Sequence, residues 1–416
     1  MITIKDKCSC CGCSACASVC PKHCITMCED DEGFLYPAAD ENTCIECGLC
    51  EVVCPVIHVQ PDVEKEQRAY LVQHKNEQVL RESTSGGAFT AIARWVLDRG
   101  GVVCGAGFST DFEVVHQWAN CYEDLRMFRN SKYVQSRIGN TYKEAKQFLM
   151  EGKCVLFSGT PCQLEGLFSF LRKPYENLVT VDVVCHACPS PLVYRKYLEA
   201  QKKKIGSEFT NILFRDKYYG YKYSTMSIIG CNDSIEYHEG IDTDIMMRAF
   251  FANMSVRPSC YQCAFKKRYR NTDFTIWDCF DVDKFSKELD NDKGVTRILA
   301  HSDLANIILK ESSSQLKVLE INSNKAVEGV KEMFHSVSMN PKREAFFVDL
   351  NLLDAEVCFH KYFPVTLRHR LEKQARLWTA RLGLYKYIKK YSKRLMGIGK
   401  LKDSYSKDLE NKNTIL

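Results

Sequence analysis

Eight cysteines in two identical runs constrain what the first fifty-five residues can become. Cys10, Cys13, Cys16 and Cys20 lead into Pro21, and Cys44, Cys47, Cys50 and Cys54 lead into Pro55. Each run is C-x2-C-x2-C-x3-C-P, the spacing that holds paired cubane iron–sulfur clusters. A cubane needs four thiolates converging on one small volume. Three closely spaced cysteines wrap one turn of backbone around it, and the fourth ligand comes from the other run. The expected sets are therefore Cys10, Cys13 and Cys16 with Cys54, and Cys44, Cys47 and Cys50 with Cys20. Gly12 and Gly48 fall between ligands, where a side chain would crowd the metal. Structural zinc sites use two Cys pairs and a long spacer, a pattern these runs do not follow. Cys8, Cys11, Cys24 and Cys28 fall outside the repeat and are expected to be buried small residues.

The rest of the chain is long enough for one or two further domains, since 416 residues allow two or three at about 150 each. A hydrophobic content of 45% supplies a core, and a net charge of +5 is too small to mark the whole chain as a nucleic-acid binder. No apolar stretch precedes Cys8, so no signal peptide is expected. The most apolar region, 86–108, is interrupted by Arg94, Asp98 and Arg99, so no membrane span is expected. Twenty-three cysteines without a secretion signal indicate a reducing compartment, hence a cytoplasmic location.

Residues 1–60 form a ferredoxin-like head. Within it, 25–27 and 34–36 pair as short strands around an acidic turn. Residues 58–68 are polar, contain a proline and are expected to act as a linker. Strand and helix patterns then alternate. Strands are expected at 69–72, 101–106, 114–118, 155–158, 178–184, 274–277 and 295–300. Helices are expected at 88–97, 141–150, 163–171, 192–203, 242–253 and 302–310, with antiparallel strands in 212–229. The fold class is mixed, α+β and α/β: a small two-cluster head, an α/β body and a helical basic tail. From 367 to about 402 the chain is rich in Lys and Arg with interleaved apolar residues. Such a helix suits peripheral contact with an anionic membrane surface or a partner, or packing on its own protein. Residues 407–416 are expected to lack order.

Four stretches of the body carry chemistry. Ser83-Thr84-Ser85-Gly86-Gly87-Ala88 opens a helix, and small residues with free N–H groups there make either an anion site or a plain cap. Ser131-Lys132-Tyr133 offers a cation, an aromatic face and hydrogen-bond donors in a loop. Gly159-Thr160-Pro161-Cys162-Gln163 joins a strand to a helix, at the strand end where open α/β sheets bind ligands. Cys162 near that helix N-terminus reads as a redox nucleophile or a metal ligand. Together with Cys185 and the C-x2-C pair Cys260 and Cys263 it completes a tetrathiolate. On spacing alone zinc and an iron–sulfur cluster fit that set equally.

These stretches together resemble the coenzyme F-420 hydrogenase/dehydrogenase beta-subunit family. The resemblance rests on Thr84-Ser85-Gly86-Gly87, Ser131-Lys132-Tyr133, Gly159-Thr160-Pro161-Cys162-Gln163, Cys185-His186 with Pro189-Ser190, and Arg257-Pro258-Ser259-Cys260 with Cys263. It runs from the head to about residue 340. Forms with a fused head are similar to proteins encoded among bacterial polysaccharide-biosynthesis genes. The resemblance implies an FAD-binding protein with a third 4Fe-4S cluster on Cys162, Cys185, Cys260 and Cys263. It implies that Ser85 to Gly87, Ser131 to Tyr133 and Gly159 to Gln163 face the flavin. It divides the chain into the head (1–60), a flavin-binding region (69–150), a cluster-bearing region (151–340) and the tail (341–416). Two departures stand out. Cys188 replaces an apolar residue of the family pattern and competes as a ligand. The stretch 273–280 carries Trp277 where the family has glycine.

The expected function is an iron–sulfur flavoprotein oxidoreductase that passes electrons between the clusters and FAD to oxidise or reduce a small organic substrate. A separate ferredoxin or reductase is the expected redox partner. His186 and Lys132 are candidates for proton transfer or flavin tuning, and His186 equally for a supporting hydrogen bond. The rival readings are an electron-transfer subunit that docks on a partner enzyme and a zinc-stabilised scaffold.

Overall fold

The computed structural model describes residues 1–231, 233–382 and 384. The head opens with two short helices, Ala15–Val19 and Leu49–Val52, each entered through a left-handed residue, Ser14 at φ +66° and Gly48 at φ +71°. Each helix carries the third cysteine of its run. Between them β1 (Ile25–Glu29) and β2 (Leu35–Ala39) pair antiparallel, Ile25 opposite Ala39.

The polar stretch after the head has no regular structure, yet it is strapped to the body. The Asp62 carboxylate accepts the Tyr269 backbone N–H at 2.8 Å, and Gln67 Nε2 donates to the Arg268 carbonyl at 3.1 Å. The expected linker is therefore held along residues 267–270.

The body is built on β3 (Arg68–His74), β4 (Val102–Phe108), β5 (Val114–Ala119), β6 (Val155–Gly159), β7 (Leu178–Val183), β8 (Phe209–Asp216), β9 (Thr225–Gly230), β10 (Ile235–Gly240), β11 (Phe274–Asp278), β12 (Thr296–Ala300) and β13 (Leu316–Ile321). One eight-stranded sheet has the order β13-β3-β12-β11-β7-β6-β4-β5. Its centre, β11-β7-β6-β4, is parallel, and antiparallel strands flank it on both sides. Continuous buried runs such as Val155-Leu156-Phe157 are what a parallel strand covered on both faces requires. On one face lie the helices Ala88–Leu97 and Asp303–Glu311, the second capped by Ser302. On the other lie Thr141–Met150 and Pro161–Leu171, and there the core continues into Cys11, Cys13, Ala15 and Val53 of the head. Head and body thus share one apolar interior.

β8, β9 and β10 form a separate antiparallel sheet, order β10-β9-β8. It packs with Tyr194 and Tyr197 of the helix Pro191–Ile205, Met246 and Met247 of the helix Ile245–Phe251, and Phe34 of the head. The helices Arg343–Leu352 and Ala355–Tyr362, expected as the start of a tail, bury Phe346, Phe347 and Phe359 in this same core. Arg343 Nη1 also donates to Glu32 Oε1 of the head at 2.7 Å, with both side chains buried or nearly so.

Most expected strands and helices are present within a few residues of their expected ends. Strand β13 and the detachment of the β8–β10 sheet were not expected. Cys28, expected to be buried, is exposed because it lies on a strand position facing solvent, and Cys8 is only half-buried. The basic stretch contributes a described helix, Leu367–Arg381, with no buried residue. The remainder of that stretch, and 407–416, lie outside the described residues. Among the described residues no helix is long and apolar enough to cross a membrane.

Candidate cluster sites and ligand cleft

The head cysteines gather around two small apolar pockets. One is bordered by Cys10, Cys13, Cys16 and Cys54, the other by Cys20, Cys44, Cys47 and Cys50. Each run thus contributes three cysteines to one pocket and one to the other, the exchange expected from the spacing. Cys11 also borders the first pocket and Cys24 the second. Burial pushes the Cys16 thiol up to about 12, a cost that a bound cation would offset. Iron in a cubane supplies that charge. Among the described residues no three His, Cys, Asp or Glu side chains close to the spacing of a single-ion site.

Arg257 joins the first pocket to the body. It is 1% exposed. Its Nε donates to the Cys10 carbonyl at 2.8 Å, its Nη1 to Gln135 Oε1 at 2.9 Å and its Nη2 to the Leu35 carbonyl at 2.9 Å. The guanidinium lies 4.2 Å from the Tyr36 ring centre. All three hydrogen-bond partners are neutral, and among the described residues no carboxylate forms an ion pair with it. A buried cation with only neutral partners is costly. Two tetrathiolate clusters, one on each side, would supply the missing negative charge.

On the body side, the N-terminus of the helix Pro161–Leu171 presents Cys162, whose Sγ lies 3.1 Å from Thr160 Oγ1. The neighbouring Cys11 thiol and burial hold Cys162 well above the usual thiol range. A reactive thiol would need the opposite shift. Cys185 follows β7, and Cys260 and Cys263 follow Arg257. Burial pushes Cys185 up to about 12 and Cys260 up as well, and the Cys162, Cys260 and Cys263 thiols are close enough to perturb one another. The Cys188 backbone N–H donates to Cys260 Sγ at 3.3 Å. Lys266 Nζ donates to the His186 carbonyl at 3.0 Å and the Glu332 carbonyl at 2.9 Å, and also to that of Cys185. The set is half-buried, sulfur-rich and flanked by cations, which fits a four-thiolate cluster.

Beyond these cysteines a cleft of about 340 Å³ opens at the carboxyl ends of β6, β7 and β11. Ser85, Gly87, Ser131, Lys132, Tyr133, Gly159, Thr160 and Gln163 line it, so the three separate loops meet at one place. Gly86 and Pro161 do not. Gly86 packs where a Cβ would lie 2.1 Å from the Val72 carbonyl, and Pro161 starts its helix. Thr84 and Ser131 tie two of the loops together at 2.7 and 3.0 Å. Gln163 Oε1 accepts the Thr160 N–H at 2.9 Å while its Nε2 donates to Ser136 Oγ at 3.0 Å. Lys132 Nζ donates to the Met127 and Arg129 carbonyls, and desolvation lowers it to about 7. The helix Ala88–Leu97 points its N-terminus at the cleft through Gly87 at φ +77°. His186 Nε2 meets Asn253 Oδ1 at 2.9 Å, a supporting hydrogen bond on the cleft wall. Apolar residues Val181, Val183, Ile276 and Phe250 complete the lining. An anion site beside an apolar wall suits the phosphates and ring of FAD.

Residues 152–325 match the family described as the C-terminal part of the coenzyme F-420 hydrogenase/dehydrogenase beta subunit. This stretch, less than half of the chain, is similar to that beta-subunit family. Among curated proteins, Ferredoxin-1 of Caulobacter vibrioides is 41% identical over 63 residues, which are 15% of this chain and 51% of that protein. The chain spans about half the length of the curated relative it matches. A solved chain from the F-420-reducing nickel–iron hydrogenase complex of Methanosarcina barkeri is 14% identical, with a TM-score of 0.43. That match covers 73% of this chain and 93% of the other.

The beta-subunit stretch holds Cys162, Cys185, Cys260 and Cys263, while the loops at 83–87 and 131–133 precede it. Sequence reasoning missed three parts of the site. His116, on β5, lines the cleft, and its Nε2 meets the Ser158 carbonyl at 2.9 Å. Arg215 and Asp278 form a buried network with Tyr133 and Tyr221 at 2.9 to 3.3 Å. Arg257 had a signal, its place three residues before Cys260. His116 and Arg215 had none, since each sits in an ordinary strand.

Proposed function

We propose that the chain is an iron–sulfur flavoprotein oxidoreductase. The observation that carries this reading is the order of the sites. The Cys20/Cys44/Cys47/Cys50 pocket neighbours the Cys10/Cys13/Cys16/Cys54 pocket. Cys11 of the head meets Cys162 of the body set, and Cys185 of that set borders the cleft. Bound clusters pass electrons singly, and bound FAD couples them to a two-electron step on an organic substrate. The protein's own part is placement. Lys132 and the N-terminus at Gly87 hold an anionic group, Gln163 and Ser136 fix the loop after β6, and Tyr133 is held by Arg215. The apolar wall excludes water from the far side of the cleft. Cys162, Cys185, Cys260 and Cys263 hold the inner cluster, and the Cys188 N–H steadies the Cys260 sulfur.

The test is composition of protein purified without oxygen. About twelve irons with matching sulfide and one FAD per chain are expected. About eight irons with no flavin would leave only the head and favour an electron-transfer subunit. Zinc without sulfide would favour the scaffold.

A further inference from the structure

An ordinary surface helix turns its apolar side chains inward and its polar ones outward. The helix Leu367–Arg381 does the reverse. Its polar face is fastened to the body. Lys373 Nζ donates to Glu239 Oε2 at 2.6 Å, and Arg376 Nη1 donates to Asp242 Oδ1 at 2.5 Å. Glu239 lies on β10 and Asp242 just beyond it. Thr366 caps the start, its side chain accepting the His369 N–H. No residue of the helix is buried. Leu367, Leu371, Ala375, Trp378 and Leu382 follow the i, i+4, i+8, i+11 and i+15 spacing of one helical stripe, opposite the fastened face. Leu367, Leu371, Trp378 and Leu382 are 77, 70, 65 and 64% exposed. At 1.5 Å per residue the stripe is about 22 Å long. The two ion pairs keep the helix from rolling over to bury it.

The charges beside the stripe say what covers it. Arg368 lies along one edge, and Arg370 and Arg381 lie along the other. Arg368 pairs within its own helix, with Glu372 at 2.8 Å. Among the described residues Arg370 and Arg381 have no carboxylate partner. Residues 367–402 carry twelve Lys or Arg and a single acidic residue, Glu372. A second copy of this surface would set arginines against arginines, whereas anionic lipid headgroups attract each of them. Trp and Leu flanked by Arg settle at the boundary between headgroups and acyl chains. We infer that the helix Leu367–Arg381 docks the chain on the surface of an anionic lipid bilayer. It lies flat, with its leucines and Trp378 at that boundary and Arg368, Arg370 and Arg381 on the phosphates. Because the helix is fastened through Glu239 and Asp242, the body is held at a fixed tilt to the surface. The inference stands apart from the redox reading and needs neither cluster nor flavin.

The test is flotation of the full chain, purified without oxygen, with two kinds of vesicle. One is phosphatidylcholine alone, and the other is an equal mixture of phosphatidylcholine and phosphatidylglycerol. The chain is expected to float with the mixed vesicles, to release as salt rises, and to stay behind with phosphatidylcholine alone. Leu371→Ser combined with Trp378→Ser is expected to weaken binding by at least about tenfold. Arg370→Gln combined with Arg381→Gln is expected to weaken it by about tenfold or more. Tryptophan emission should shift to the blue on binding, and Trp378→Phe should remove that shift. All of these side chains are exposed, so each variant should keep the wild-type iron count and thermal midpoint. Absence of flotation with the mixed vesicles at low salt overturns the proposal, as does equal flotation with phosphatidylcholine alone. Flotation left unchanged by the Leu371 and Trp378 substitutions also overturns it and assigns the adhesion to the basic residues after 384. A solution dimer that the same substitutions dissolve, without flotation, overturns it in favour of a second copy of the chain.

Discussion

Gly166 faces the sulfur of Cys13, and a Cβ at Gly166 would lie 2.9 Å from that Sγ and 2.8 Å from the Cys13 Cβ. Gly166 is one turn along the helix from Cys162, so both lie on one helix face. One turn of helix thus separates Cys162 from a contact with the head. Gly166→Ala is expected to force the helix away from the head. The expected cost is about 1–3 kcal/mol, read by thermal unfolding, with a broadened signal from the cluster on Cys13.

Arg257→Gln removes the buried charge and leaves the Cys10 and Leu35 carbonyls without their donor. A loss of about 2–5 kcal/mol is expected. A nearby positive charge favours the reduced, more negative state of a cluster, so its removal lowers the reduction potentials of the clusters on either side. Arg257→Lys keeps the charge and should retain most of the potential while losing stability. Redox titration followed by paramagnetic resonance separates the two effects.

Cys188 is expected to act through its backbone. Cys188→Ala keeps the N–H that meets Cys260 Sγ, so the iron count should be unchanged. Cys260→Ala should lose about four irons. Loss of iron from Cys188→Ala would make Cys188 a ligand.

Lys132 gives the cleft a pH dependence. Its value of about 7 lies below the ordinary lysine range because its ammonium is desolvated. Affinity for FAD should therefore fall as pH rises through about 7, and Lys132→Arg should hold the affinity at pH 8–9. The stability effect has the opposite sign. Between about 7 and the ordinary lysine value near 10.4 the unfolded chain binds the proton and the folded chain does not, so folding is favoured as pH rises. Flavin fluorescence across pH 6–9 checks the first statement, and denaturant titration at pH 8–10 checks the second.

The head was legible because its ligands are close in sequence and their spacing is dictated by the shape of one cluster. The parallel centre of the sheet was legible for a similar reason. Continuous apolar runs such as Val155-Leu156-Phe157 admit few other places. Strand β13 was not, because only Leu316 among its six residues is buried, so no alternation marks it. The residues that assemble the sites were least legible of all. Arg257 reaches Cys10 across 247 positions and Arg343 reaches Glu32 across 311, and nothing local in the sequence encodes such pairings.

The strap at Asp62 and the clasp of Arg343 on Glu32 have a consequence for traffic inside the molecule. Flexible linkers let carrier domains shuttle between stations, and their rate is then set by diffusion and by the effective concentration of the arm. Here the front of the chain is fastened by Asp62 at its border and again by Arg343, 311 positions beyond Glu32. The head is a fixed terminal rather than a swinging arm. Lengthening the stretch 58–68 should therefore leave internal throughput unchanged, whereas cutting the clasp should loosen the terminal from its socket.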